Sequence, residues 1–347
     1  DRVLHSNAFR RLAHKTQVFF LSNNQDHFRN RLTHSLEVSQ IARSISSIMQ
    51  LDEALTEAIS LAHDLGHPPF GHIGEGILND IMLKNGNNGF NHNIQTLRII
   101  TKLEQKYGAF DGLNLTYETL EGVLKHGGPL VKSDYIYHQK FQSNYNINLT
   151  TQSSLEAQIA AISDDVAYNC HDIDDGIRAN LFTLDDLSEI DLIKKHLDKI
   201  QSDYPGIESS RLTHELKRNL INSFIIDIVE ESSKTLSINK IKNHHDVVKY
   251  KSTIIALSDY MTEQISNIRR FLSANMYQSK LILDHSNYTE EVIKGLFFIY
   301  KENLNKLPLK LNSSKDYPKN INRIICDFIS GMTDNYADEQ YKELLKK

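Results

Sequence analysis

Fifteen residues, Leu61-Ala-His-Asp-Leu-Gly-His-Pro-Pro-Phe-Gly-His-Ile-Gly-Glu75, hold an adjacent His63-Asp64 pair, further histidines at 67 and 72, and a carboxylate at 75. Imidazole and carboxylate bind divalent ions and move protons near neutral pH. Their density beside a glycine- and proline-rich turn therefore points to metal-dependent hydrolysis. A buried histidine bonded to a carbonyl is commoner than a ligand, so His34 or His63 alone would signify little. The inference rests on their joint occurrence on two successive amphipathic segments, followed by a third that bears acids. There Asp164, Tyr168 and Asp172 recur at i, i+4 and i+8 and share one helix face, whereas Asp165, Asp174 and Asp175 read as a solvated acidic face. With Asp164 as the candidate from that segment, His34, His63, Asp64 and Asp164 form a mixed N/O donor set. Such a set suits Mn²⁺ or Mg²⁺, with Fe, Co, Ni or Zn as alternatives. If a helix follows Phe70, His72 and Glu75 lie three apart and touch.

Helices must position these groups. Over 31–49, Leu32, Leu36, Ile41, Ile45 and Ile48 recur near i+3/i+4 spacing. Over 52–65, Asp52 reads as the N-cap and Leu55, Ile59 and Ala62 as the apolar stripe. Gly66, Pro68 and Pro69 then stop the helix just after His63-Asp64. Further helices are expected over 90–107, 117–125 and 153–180, the last with Leu155, Ile159, Ile162 and Val166 on one side. The polar stretch 129–154 lacks a sustained period and is expected to be a mobile lid or an interface loop. After Ser202-Asp-Tyr-Pro-Gly206 long helical patterns run through Leu345, with a polar break at 312–320 and no internal repeat. The expectation is an all-α fold, with a catalytic core over 1–200 and a helical C-terminal region over 201–347.

Bulk properties narrow the alternatives. The chain has 347 residues, 40% hydrophobic and 24% charged, as in ordinary soluble globular proteins. A net charge of −5 gives no basic footprint for nucleic acid, so any phosphate binding must be local. Cys170 and Cys326 imply no disulfide framework, which favours a reducing compartment, the cytosol. No apolar run is long enough to span a bilayer, Gly295-Leu-Phe-Phe-Ile-Tyr300 being far too short. No Gly-x-x-x-x-Gly-Lys-Ser/Thr loop is present, which argues against a P-loop NTPase. The chain opens at Asp1 inside a charged, helix-like segment, and residues before it are expected.

The set His34, His63-Asp64, Asp164 resembles the HD superfamily of metal-dependent phosphohydrolases. The flanking segments are similar to its deoxynucleoside triphosphate triphosphohydrolase, or dGTPase-like, branch. The resemblance covers Asp1 to Val18, Asn30-Arg-Leu-Thr-His-Ser35, the block from His63 to Glu75, Phe90-Asn-His-Asn-Ile-Gln95, Leu124-Lys-His-Gly-Gly-Pro129 and Asp164-Asp-Val-Ala-Tyr-Asn-Cys-His-Asp172. A weaker match runs from Arg269 to Lys280 and through Gly331-Met-Thr-Asp334.

The resemblance implies an all-α HD-domain core in which water attacks the α-phosphorus of a dNTP, dGTP included, and releases deoxynucleoside and inorganic triphosphate. It implies His34, His63, Asp64 and Asp164 as ligands and His72, tuned by Glu75, as proton donor to the leaving oxygen. His67 and His92 would line the phosphate path. A second metal at this cluster is the less favoured alternative, because Pro68 and Pro69 stiffen the turn for phosphate-facing donors and the motif offers no extra carboxylate pair. Arg31, Lys125, Arg269 and Arg11 are the implied triphosphate cations. Gln17 and Val18 would face the sugar, Val18 excluding a ribose hydroxyl, with Tyr168 and Asp172 completing that pocket and Tyr277 and Gln278 meeting the base. Asp165 stands where a eukaryotic relative, the SAM-and-HD-domain triphosphohydrolase, has lysine, so a phosphate clamp is absent there. Family membership further implies a homo-oligomer, hexamers included, nucleotide effectors, and an influence of single-stranded DNA. The rival readings are another HD phosphohydrolase, a nucleotidase or phosphodiesterase, and a non-catalytic nucleotide-sensing regulator.

Overall fold

A computed structural model describes residues 1–18, 28–130, 145–308 and 320–346. Among them the chain forms fifteen α-helices and no strand, with only an isolated antiparallel bridge between Thr16 and Asn30. The all-α expectation holds.

Three helices build the centre. Helix α2 (Arg31–Ile48) follows α1 (Asn7–Arg11) and is capped by Asn30, whose Oδ1 accepts from the Thr33 amide at 2.9 Å. Helix α3 (Glu53–Ala62) is capped by Asp52 as expected. Helix α7 (Leu155–Arg178), capped by Ser154, packs across both. Between α3 and α7 lie α4 (Gly71–Lys84), α5 (His92–Arg98) and α6 (Tyr117–Leu124). The rest follows as α8 (Leu184–Leu187), α9 (Asp191–Asp203), α10 (Ser209–Ile238), α11 (His244–Lys249), α12 (Asp259–Leu272), α13 (Lys280–Glu302), α14 (Ile321–Ser330) and α15 (Asp334–Leu345).

The cores mix distant parts of the chain. One joins Val38, Ile41 and Ile45 of α2 and Ile159 and Val166 of α7 to Leu216, Leu220 and Phe224 of α10 and Ile268 of α12. Another joins Phe70 and Leu78 and Ile81 of α4 to Leu296 and Phe297 of α13, Ile325 of α14 and Tyr341 of α15. A third packs α1, α3, α5 and α6 around Leu12, Leu61 and Val123. Removing such side chains from water supplies roughly 1.5–3 kcal/mol each, so helices on both sides of position 200 are held by common apolar contacts.

Several local expectations need correction. The stripe on α2 is displaced: Leu36 and Ile48 are 45% and 58% exposed, while the buried face carries His34, Ser35, Val38, Ile41, Ala42 and Ile45. A face lining a polar site buries polar residues, which an apolar count misses. The expected 90–107 helix is α-helical only through Arg98, then widens into a π-turn over Ile99–Leu103. Part of the expected lid is packed structure: Ile147 and Leu149 are buried in the third core, and the Leu149 carbonyl accepts from the Leu130 amide at 2.9 Å. The remainder of that stretch over 131–144, and the polar break at 312–319, lie outside the described residues.

Gly66 joins the centre to α5. An added Cβ would lie 2.1 Å from the His92 carbonyl oxygen and 2.3 Å from the Thr96 amide nitrogen. The Thr96 hydroxyl accepts from the Gly66 amide at 2.9 Å and donates to the His63 carbonyl at 3.1 Å. Gly66→Ala should therefore destabilise the protein by on the order of 3 kcal/mol, the upper range for overpacking, because backbone rather than a side-chain tip must move. Urea denaturation checks this, and an unchanged midpoint would contradict it.

Candidate active site

At the end of α3, His63 is buried and its Nδ1 lies 2.6 Å from the Ser60 carbonyl, which commits the Nδ1 proton to that oxygen and leaves Nε2 as the ring atom that can bind an ion. His63 Nε2 is buried with no hydrogen-bond partner, 3.4 Å from Asp64 Oδ1 and 3.6 Å from Asp164 Oδ1. His34 Nε2, from the first turn of α2, lies 2.8 Å from Asp164 Oδ1. Ligand atoms of His34, His63 and Asp164 fall within 4.8 Å of one another. An orphaned imidazole nitrogen amid imidazole and carboxylate donors fits a divalent ion, for which the set gives no unique identity.

Asp64 flanks this group and is itself enclosed. Its Oδ2 accepts from Arg31 Nη1 at 2.9 Å, and its Oδ1 lies 2.9 Å from His67 Nδ1. Burial alone would raise its pKa, but Arg31, His63 and His67 hold the carboxyl well below the usual carboxylate range. His63 shows the complementary effect: burial opposes its charge, yet Asp64 and Asp164 outweigh it and push the imidazole up to about 9.

A second group adjoins the first. The His67 ring stacks on His92 with centroids 3.9 Å apart. Glu75 Oε1 lies 2.8 Å from His92 Nδ1, and its Oε2 lies 3.2 Å from His72 Nδ1, so the helical spacing of His72 and Glu75 produces the expected contact. Burial opposes ionisation of Glu75, but these two histidines hold its carboxyl well below the usual range. His67 is driven the other way: burial, Arg31 and His92 push it well down, so it is neutral. The donor atoms of His67, His72, Glu75 and His92 also converge within 4.8 Å. This second group therefore has the donor spacing of an ion site despite the proline turn.

The remaining candidates divide. Arg31 is 1% exposed and spends Nη1 on Asp64, while its Nε and Nη2 have no partner. Lys125 and Arg269 line a cavity of about 530 Å³ together with Asp164, but Lys125 Nζ is 2.7 Å from Glu121 Oε1 and Arg269 Nη2 is 3.0 Å from Asp165 Oδ1. Arg11 lies elsewhere, in a cavity of about 570 Å³ with Glu104 and Tyr336. Tyr168 and Tyr277 stack at 6.4 Å, and the Tyr277 hydroxyl donates to Asp172 Oδ2. Gln17 is buried, Val18 half-buried and Gln278 exposed.

Asp174 and Asp175 are not a solvated face. Both are buried, paired with Arg29 at 3.7 and 3.4 Å, and Asp174 also meets Arg178 and Lys217. Arg178 stands at i+4 from Asp174, but Arg29 and Lys217 come from other segments, so local spacing carried no signal of the burial. His126 was also missed. Its ring stacks on His63 at 5.1 Å and its Nε2 lies 3.2 Å from Asp164 Oδ2. Its place in Lys125-His-Gly-Gly128, directly after a helix end, was the available clue.

The site thus presents two joined histidine–carboxylate groups in a helical frame, the signature of a metal-assisted phosphohydrolase. Residues 31–169 match the HD domain and 255–343 the phosphohydrolase-associated domain. A relative from Bartonella tribocorum is 44% identical over 99% of this chain and 87% of its own. Relatives from Rickettsia bellii and Brucella canis are each 42% identical, over 99% and 100% of this chain and 90% and 88% of theirs. Each bears the name deoxyguanosinetriphosphate triphosphohydrolase-like protein. The chain belongs to this dGTPase-like family of the HD superfamily. No helix among the described residues is long and apolar enough to cross a membrane.

Two outcomes follow from the geometry. His126→Ala should weaken metal binding by roughly 10–100-fold, the usual cost of losing a group that orients a ligand; competition with a chelating dye measures it, and unchanged affinity would exclude His126 from that role. Burial and the neighbouring Asp175 push Asp172 up to about 7, against the lowering effect of Tyr277 and Tyr168. From its ordinary 3.8 to about 7 the native state holds a proton that the unfolded chain has released, so stability falls as pH rises through that interval. Asp172→Asn should remove this slope, raising Tm relative to the parent by several degrees more at pH 8 than at pH 4. A pH-independent difference would contradict the assignment.

Proposed function

We propose that the protein hydrolyses deoxynucleoside triphosphates, dGTP among them, to deoxynucleoside and inorganic triphosphate. The observation that carries this reading is the continuity of the two groups: Asp64 touches His67, His67 stacks on His92, and His92 and His72 share Glu75. One group suits a metal at the phosphate; the other can deliver a proton a short distance away. The relatives' names, which specify dGTP, support the substrate class.

His34, His63, Asp64 and Asp164 would hold a divalent ion, which would supply Lewis acidity at the phosphate. Arg31 contributes Nε and Nη2, buried donors without a partner, to phosphate oxygens. Lys125 and Arg269 add positive charge from the cavity that they share with Asp164. A water oxygen bonds to the α-phosphorus and the bond to the 5′-oxygen breaks. The departing oxygen takes a proton from His72, while the attacking water loses one, which returns to His72 by way of solvent. Glu75 anchors His72 through Nδ1, so the proton delivered is the one on Nε2, and the ring is 61% exposed toward incoming substrate.

For the sugar, Gln17 Oε1 and Asp172 Oδ1 are buried oxygens without partners, and a 3′-hydroxyl would satisfy an acceptor of that kind. Val18, half-buried beside Gln17, offers an apolar surface against which a 2′-hydroxyl would be left unpaired.

Anion-exchange analysis after incubation with Mn²⁺ or Mg²⁺ and each dNTP tests the reading. Intact triphosphate with deoxynucleoside is expected; orthophosphate or a monophosphate would indicate another HD phosphohydrolase, and nucleotide binding without product a regulator. His72→Ala should retain metal yet lose on the order of 100-fold or more in kcat, in the range for a general acid. Full activity would remove His72 from that role. Val18→Ala should narrow the preference for dGTP over GTP, measured as the ratio of kcat/KM values.

A further inference from the structure

The turn that delivers His72 has an unusual backbone. His67 and Phe70 bracket Pro68 and Pro69, which carry no N–H, so the middle of the turn can donate no hydrogen bond to fasten itself. Phe70 is left-handed at φ +64°, a conformation that costs a non-glycine residue energy, and Gly71 follows at +58°. Helix α4 begins at Gly71, so the direction in which His72 and Glu75 leave the turn depends on these two left-handed residues.

Both ends of the turn are fastened by buried polar side chains from outside it. Lys15, 2% exposed, donates from Nζ to the His67 carbonyl at 2.5 Å and to the Ser330 carbonyl at 2.8 Å. Asp334, 1% exposed, accepts the Phe70 amide on Oδ1 at 2.9 Å, and on Oδ2 it accepts the Thr16 amide at 2.7 Å and the Thr16 hydroxyl. Ser330 ends α14 and Asp334 opens α15, so the C-terminal helices reach across to the turn of the proton-transfer group. Core packing alone does not require this. Burying an acid and an amine is costly, and the hydrogen-bond partners they meet here belong to the turn, to Thr16 or to the end of α14.

We propose that Asp334, assisted by Lys15, is a positioning residue for proton delivery: it holds the Phe70–Gly71 turn so that α4 presents His72 to the leaving oxygen. The proposal deepens the reading of His72 as proton donor and rests on it. Asp334 touches no reacting atom; it acts through the Phe70 amide.

Asp334→Asn keeps the size but replaces one acceptor oxygen by an NH₂ group that cannot accept from Phe70 or Thr16. The kinetic test compares a dNTP with its analogue carrying sulfur in place of the 5′-oxygen, whose thiolate leaves without needing a proton. Asp334→Asn should lower kcat on the dNTP by on the order of 10–100-fold, part of a general acid's contribution, yet change the sulfur substrate by less than about threefold. Lys15→Met should show the same selectivity in milder form, and it serves if Asp334→Asn does not fold. Equal losses on both substrates would overturn the proposal, because a general loss of structure has no reason to spare the sulfur analogue. A second readout needs no turnover: ¹⁵N imidazole NMR of the whole protein should show displaced ring resonances for His67, His72 and His92 in either variant. If the parent fails to hydrolyse dNTPs, the proposed function fails while these resonances still decide the positioning role, and unmoved resonances would overturn it.

Discussion

Burying the Asp64 carboxylate is the constraint on which the centre of the structure turns. An isolated carboxylate would not stay ionised at 3% exposure; Asp64 does because Arg31, His63 and His67 surround it. Each partner comes from a different element. Arg31 opens α2, His63 ends α3, and His67 begins the proline turn. One side chain therefore fixes the relative placement of two helices and a turn, with His34 and Asp164 brought alongside by α2 and α7. Gly66 lets α5 approach closely enough for His92 to stack on His67.

The same arrangement separates the protonation states within a few ångströms. Carboxylates push His63 up, whereas burial, Arg31 and His92 push His67 down. A histidine that favours its charged form in the absence of metal sits four residues from one that stays neutral, although both contact Asp64. Such divergence of like groups is characteristic of sites that handle protons and anions. The C-terminal helices take part, since α13 and α14 pack against α4, the helix that carries His72 and Glu75, and α15 packs on α13 in the same core.

Local pattern revealed what depends on local pattern. Asp52 as a cap, the stop at Gly66, the contact of His72 with Glu75 and the shared face of Tyr168 and Asp172 all follow from spacing within one helix, and all are present. The failures arise where partners are far apart in sequence. Leu36 belongs to the expected stripe by period, yet α2 turns its polar residues inward to face the site. Asp174 and Asp175 looked solvated because Arg29 and Lys217, which bury them, lie on other segments. His126 joins Asp164 across thirty-eight positions, and Asp334 reaches Phe70 across 264, distances over which no periodicity carries information. The roles proposed for Arg31 and Gln17 come from the family resemblance; their orphaned atoms are what the fold adds.

The central claim is that water attacks the α-phosphorus and that the 5′-oxygen leaves with the nucleoside. Running the reaction with dGTP in ¹⁸O-labelled water and reading the products by ³¹P NMR and mass spectrometry tests it most directly. The account predicts one label on a terminal phosphorus of released triphosphate and none in the deoxyguanosine. Label in the nucleoside hydroxyl, or in orthophosphate released from the γ-position, would contradict it.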